Sequence, residues 1–152
     1  MGQVLINLLT NTTFLTVISG VLVYIFSQLF YEIIITPYKK YNEIKGKIAY
    51  ILALYKRYYG NPYNLFGEES NMRDKDKYEE ASIEVRKVAA ELSGFINEFN
   101  LKIIIPNKKK LSEVVSNLVG ISNGFFIVSK DFDTIKANRE NEEIIVKNLK
   151  LK

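Results

Sequence analysis

The sequence predicts an all-α protein: one N-terminal transmembrane helix followed by a cytoplasmic bundle of about four helices. Three observations predict it. Residues 14–35, FLTVISGVLVYIFSQLFYEIII, hold no charged side chain before Glu32, and about 20 mostly apolar residues carry a helix across a bilayer. Behind that run, apolar residues recur at spacings of three and four in four separate stretches, the period of helices with one buried face. The segments joining them are short, and four amphipathic helices so joined can close a core. The domain division is then 1–36, tail and membrane helix, and 37–152, the helical domain; the latter is long enough for a core of its own.

The first run does not read as a cleaved signal peptide. It is too long, no Lys or Arg precedes it, and bulky residues close it. The C-terminal flank carries Lys39, Lys40, Lys45 and Lys47. The positive-inside rule puts that flank in the cytoplasm, with the N-terminus outside. These four lysines are the candidate membrane-surface basic residues, facing anionic headgroups of the lipid bilayer. At about 100° per residue, Thr13, Thr16, Gly20, Tyr24, Ser27, Gln28 and Tyr31 fall within one sector of roughly 120°. Leu15, Ile18, Leu22, Ile25 and Leu29 lie opposite. Small residues let backbones approach, and hydroxyls and amides bond across helices. The stripe is therefore the candidate helix-packing or pore-lining face, with a homo-oligomer as the simplest partner.

Pro37 kinks the run or opens a new helix. Residues 38–59 read as helix on Tyr41, Ile44, Ile48, Ile51, Leu52, Tyr55 and Tyr58, and Gly60-Asn61-Pro62 stops it. Residues 63–77 read as a loop. Residues 78–100 are the next helix, buried on Ala81, Val85, Val88, Ala89, Leu92, Phe95, Ile96 and Phe99. An apolar connection, LKIIIP at 101–106, has no clear partner strand. A helix from 107 or 108 to about 123 follows, then a turn with bulky apolar residues at 124–133. Asp133 or Thr134 caps a last helix to about 149.

Composition narrows function. The 152 residues carry a formal charge of +4 with no Cys, His or Trp. Without Cys there is no disulfide, thiolate metal site or Cys nucleophile. Without His, the commonest general base and metal ligand are gone. No glycine pattern forms a phosphate loop. Asp131 and Asp133 lack the further ligands of a calcium loop. The reading is of no enzyme, no cofactor and no metal. Ten tyrosines, six of them on or beside the second helix among lysines, fit an interfacial aromatic helix better than a base-stacking surface, so direct nucleic-acid binding is not expected. Lys108-Lys109-Lys110 opens a helix against its dipole, which hints at a phosphate or membrane contact.

The order of an N-terminal anchor, a Tyr-rich helix ending in Asn-Pro, EASIEVRKVAAEL, an apolar stretch ending in Pro, LVGISNGF and ANRENEEII resembles a group of small bacterial single-pass membrane proteins with a HEPN-like helical domain. That group is similar to the CRISPR type VI-B accessory membrane-pore protein. The resemblance implies a ring-forming membrane pore that supports antiviral defence, with a cytoplasmic RNA-guided effector protein as partner. HEPN nucleases carry an Arg and a His separated by four residues. Matching Arg139 puts Ile144 at the His position, so the motif is broken, and Asn138 and Arg139 remain as a degenerate polar site. The leading function is an oligomeric, pore-forming inner-membrane accessory or effector of defence. The alternatives are a membrane-tethered helical module that recruits a cytoplasmic partner, and a degenerate nuclease keeping Arg139 for RNA contact.

Overall fold

The computed structural model describes residues 11–65, 72–98, 107–127 and 133–151. The apolar stretch 101–106, Phe99, and residues 66–71 and 128–132 (Asp131 among them) of the segments expected as loops at 63–77 and 124–133 lie outside them. The chain divides into two compact units, Met1–Lys39 and Lys40–Lys152.

In the first unit, α1 (Thr12–Phe30) begins two residues earlier than the apolar run suggests. The reason is a cap: the Asn11 side chain accepts hydrogen bonds from the N–H groups of Thr13 (3.0 Å) and Phe14 (3.2 Å). None of its residues is buried, and it is long and apolar enough to cross a membrane. A π-helical turn, Tyr31–Ile35, follows. Its signature is the Thr36 N–H, which reaches back five residues to Tyr31 O, an acceptor shared with the Thr36 hydroxyl at 3.2 Å. Proline has no N–H, and its ring crowds the carbonyl four residues before it, here Ile33. One widened turn just ahead of Pro37 lets the helix continue past that residue. Hence α2 (Thr36–Gly60) starts without a break, where the sequence allows either a kink at Pro37 or a new helix.

The second unit is a bundle of α2, α3 (Met72–Glu98), α4 (Lys108–Asn123) and α5 (Thr134–Leu149). Side-chain contacts give its directions. Along α2 and α3, Lys40 meets Glu98 (2.6 Å), Lys47 meets Glu91 (2.7 Å), and the Tyr78 hydroxyl donates to Asn61 O (2.8 Å). Along α2 and α5, Asn138 meets Tyr59, Lys56 meets Glu142, and Lys45 meets Lys150. Along α4 and α5, Asn138 meets Gly124, and Asn148 meets Glu113. Each pairing is antiparallel, so α2 and α4 run one way and α3 and α5 the other. The square closes between α3 and α4, where Ser82 and Arg86 meet Ser122 and Asn123.

The core is the set of stripes read from the 3.6-residue period. Ile44, Ile48, Val85, Leu92, Val114, Leu118, Ile121 and Ile145 have no exposure at all, and each contributes about 1.5–3 kcal/mol of transfer free energy. Tyr59, Ser122, Thr134 and Asn138 are buried as well, outside the stripe residues read from the sequence, and so is Phe125 from the apolar turn that follows α4. Among the described residues, no buried side-chain nitrogen or oxygen lacks a hydrogen-bond partner.

Two expectations are corrected. The third helix starts at Met72 rather than 78, so part of the expected loop is helix. The protein is also not purely α: β1 (Tyr63–Asn64) pairs in parallel with β2 (Phe126–Ile127), Tyr63 opposite Phe126 and Asn64 opposite Ile127. The Tyr63 N–H donates to Phe125 O at 2.9 Å. Two residues per strand are too few to be read from an alternating pattern. Asn107 and Asp133 cap α4 and α5 by accepting from Lys109 N and Lys136 N, both at 2.9 Å.

Candidate functional site

The exposed face of α1 carries the stripe. Thr13, Thr16, Gly20, Tyr24, Ser27 and Gln28 all lie in α-helical backbone and all are exposed. Their polar atoms are not equivalent. The Thr16 hydroxyl donates to Thr12 O at 2.8 Å and the Ser27 hydroxyl to Val23 O at 2.7 Å. Such back-bonding to the preceding turn lets a hydroxyl face hydrocarbon. The Gln28 carboxamide forms no hydrogen bond among the described residues, and an unpaired amide in hydrocarbon is costly. At Gly20 an added Cβ would meet nothing within 4 Å, so the notch it makes is open. Tyr31 sits on the π-helical turn, 48% exposed. Lys39 donates to its hydroxyl at 3.3 Å with the ammonium 5.3 Å from the ring centroid. A cation over an aromatic face suits an interfacial anchor.

The remaining basic candidates differ in their surroundings. Lys40 pairs with Glu98, and Lys45 reaches Lys150 O at 3.4 Å. Lys47 is held between Glu91 and Glu43, and those two hydrogen bonds, Glu91 foremost, raise its ammonium pKa.

Asn138 and Arg139 do not share an environment. Arg139 is exposed. Asn138 is 1% exposed, and its amide donates to Tyr59 O (2.8 Å) and Gly124 O (2.6 Å). Three segments singled out in the sequence, the end of α2, ISNGF and ANRENE, thus meet at one side chain. Gly124 is there for close approach: an added Cβ would lie 2.7 Å from Asn138 Cγ. Around this knot the rings of Tyr55, Tyr59 and Phe125 pack edge to face at 6.2–6.5 Å. The Tyr59 hydroxyl donates to Leu52 O at 3.1 Å; burial first, and the nearby Glu142 second, push its pKa up. Burial also raises Tyr41 and Tyr55. Ile144, opposite Arg139 in the broken motif, is half-buried.

Beside the knot, a groove of about 700 Å³ opens between α3 and α4, lined by Lys75, Glu79, Ser82, Ile83, Arg86, Asn123 and Phe126 among others. Its floor is a polar clasp. The Ser82 hydroxyl meets Ser122 O (2.8 Å), the Ser122 hydroxyl meets Ser82 O (3.0 Å), and Arg86 donates to Ser122 Oγ (3.2 Å) and Asn123 Oδ1. Sequence reading missed Arg86; a lone Arg among Glu and Lys on a helix carries no signal of such a clasp. Among the described residues no three His, Cys, Asp or Glu side chains cluster in a way that could hold a metal. No family model matches the chain, and no curated protein or solved structure matches it.

Proposed function

We propose that the chain is a single-pass protein of the bacterial inner membrane that self-assembles through the Gly20–Gln28 face of α1, with its helical bundle in the cytoplasm. One observation carries the reading: α1 has no buried residue, yet it puts a Gln28 amide with no hydrogen bond among the described residues on the same face as an open glycine notch. A glutamine in hydrocarbon gains by finding a partner on a neighbouring helix, and copies of the same helix present the same group. The lysines that follow Pro37 support the orientation. The resemblance to single-pass membrane proteins with a HEPN-like domain supplies the biological setting: a pore-forming accessory of antiviral defence working beside an RNA-guided effector. The test is the oligomeric state of the full chain in detergent, by mass measurement and direct imaging, with Gly20→Leu and Gln28→Leu as variants. Rings or defined oligomers that dissociate in the variants support the proposal. A strict monomer, or variants that assemble like the parent, end it.

A second reading is a tethered interaction module, in which α1 only anchors. The back-bonded hydroxyls of Thr16 and Ser27 favour it, since they need no partner helix. Replacing residues 14–35 with an unrelated membrane helix preserves activity under this reading and abolishes it under the first.

A further inference from the structure

The antiparallel ladder of contacts brings the start of α2, the end of α3, the start of α4 and the end of α5 to one end of the bundle. It is the end at which the chain enters from the apolar segment, since the second unit begins at Lys40. Lysines gather there from three separate parts of the sequence: Lys40 and Lys45, the run Lys108-Lys109-Lys110, and Lys150. Among the described residues Glu43, Glu98 and Glu113 are carboxylates at this level, and each is engaged, Glu43 with Lys47, Glu98 with Lys40 and Glu113 with Asn148. Lys108, Lys109 and Lys110 are fully on the surface and form no ion pair among the described residues. They also occupy the first turn of α4, where cations oppose the helix dipole and acids would be favoured. A local rule broken with no compensating ion pair among the described residues points outward, to a partner.

We infer that this lysine-rich end is a docking face for anionic lipid headgroups, which seats the bundle on the membrane that holds α1. The inference rests on the membrane reading proposed above and adds the surface that contacts the leaflet. Clustered lysines next to a membrane span are attracted by the negative surface of the cytoplasmic leaflet, and the attraction is screened within a Debye length. Lipid is favoured over RNA because the basic face coincides with the entry end of the bundle. Tyr55, Tyr58, Tyr59 and Tyr78 cluster instead with the Asn138 knot at the opposite end, and Tyr41 at the basic end is buried against Phe95, closed to base stacking.

The chain has no cysteine, so a single fluorophore can be placed at Ser112→Cys, an exposed position just past the lysine run. The labelled full-length protein is reconstituted in vesicles of phosphatidylcholine alone or mixed with phosphatidylglycerol, with an energy acceptor on the headgroups. Energy transfer should rise with the phosphatidylglycerol fraction and fall back in about 0.5 M salt. The triple variant Lys108→Gln, Lys109→Gln, Lys110→Gln should lower the ratio of docked to undocked bundle by roughly a hundredfold. These lysines work against the helix dipole, so the variant should keep its circular dichroism; the salt titration of the parent needs no variant at all. Flotation with pure phosphatidylcholine vesicles reads the anchoring by α1 separately, and its failure overturns the membrane reading. Intact flotation with energy transfer indifferent to phosphatidylglycerol, salt and substitution overturns this inference alone. So does lysine-dependent binding of single-stranded RNA with no response to lipid composition.

Discussion

Asn138→Ala removes a side chain that joins α2, the end of α4 and α5 at one point. Two buried carbonyls, Tyr59 O and Gly124 O, lose a donor. Leaving a buried polar group unpaired costs about 1–3 kcal/mol, and a carbonyl with a second lone pair sits toward the low end. The combined loss is then about 2–4 kcal/mol, a melting shift of roughly 10–20 °C for a domain of this size. Gly124→Ala should cost a similar amount by another route, because its new methyl collides with the Asn138 carboxamide. The two changes must couple. With the carboxamide gone, the methyl has room, so Gly124→Ala in an Asn138→Ala background should cost less than about 1 kcal/mol. The double-mutant cycle should show about 2 kcal/mol of relief. Urea unfolding of the full chain in detergent, followed by near-ultraviolet tyrosine dichroism, measures all four corners. Asn148→Ala is the control: its amide bonds an exposed Glu113, and its loss should stay under about 0.5 kcal/mol. Additive effects of Asn138→Ala and Gly124→Ala within about 0.5 kcal/mol would refute the knot.

Other expectations concern pH, capping and the open glycine. Tyr59, Tyr41 and Tyr55 have raised pKa values in the fold, while an unfolded tyrosine titrates near pH 10. Their contribution is fully present below about pH 10 and is lost above it, by up to about 1.4 kcal/mol per pH unit for each group. With no His in the chain, unfolding free energy should stay level from about pH 6 to 8; a step near pH 6.5 in a denaturation series would contradict this. Asp133→Ala removes the acceptor for Lys136 N and should cost about 1 kcal/mol by chemical denaturation, whereas Asp133→Asn should cost little. A Cβ added at Gly20 meets nothing within 4 Å, so Gly20→Leu should leave helicity by far-ultraviolet dichroism unchanged whatever happens to assembly.

The helical stripes were readable because burial leaves a period of 3.6 residues in the sequence. Val85, Leu92, Leu118 and Ile145 fall where that period puts them. The knot was not readable as such. Asn138 looks like a surface asparagine beside Arg139, and only the backbone of residues 59 and 124 makes its burial tolerable. The same limit hides Ser122 and Arg86, whose partners are 36–40 residues away. The β1–β2 pair joins segments more than 60 residues apart with two residues each, below the length at which alternation can be seen. The early start of α3 was missed because the residues after Met72, RDKDK, are all charged and offer no apolar spacing from which to read a helix.

Where the polar stripe of α1 is concerned, the structure changes which residues the argument leans on. Counted as polar residues in a sector, Thr16, Ser27 and Gln28 weigh alike. Counted by where their hydrogen bonds go, they do not. Thr16 and Ser27 return their hydroxyls to the carbonyls of Thr12 and Val23, and Ser19 does the same to Thr16 O at 2.9 Å, although Ser19 lies outside the stripe. The hydroxyls of Thr16, Ser19 and Ser27 are therefore satisfied on either side of the helix and say little about which face meets a neighbour. Gln28 is too long to bond its own turn with both amide ends, and it lies about one turn from Tyr31, where Lys39 marks the start of the basic flank. Interhelical bonds from such side chains in membranes are worth about 0.6–2 kcal/mol each, and in a ring of copies that term recurs at every interface. Close approach at Gly20 then decides whether the helices come near enough to make it. Assembly is thus a conjunction of one amide and one notch two turns apart, which is why the two substitutions should fail separately and why neither should disturb the isolated helix.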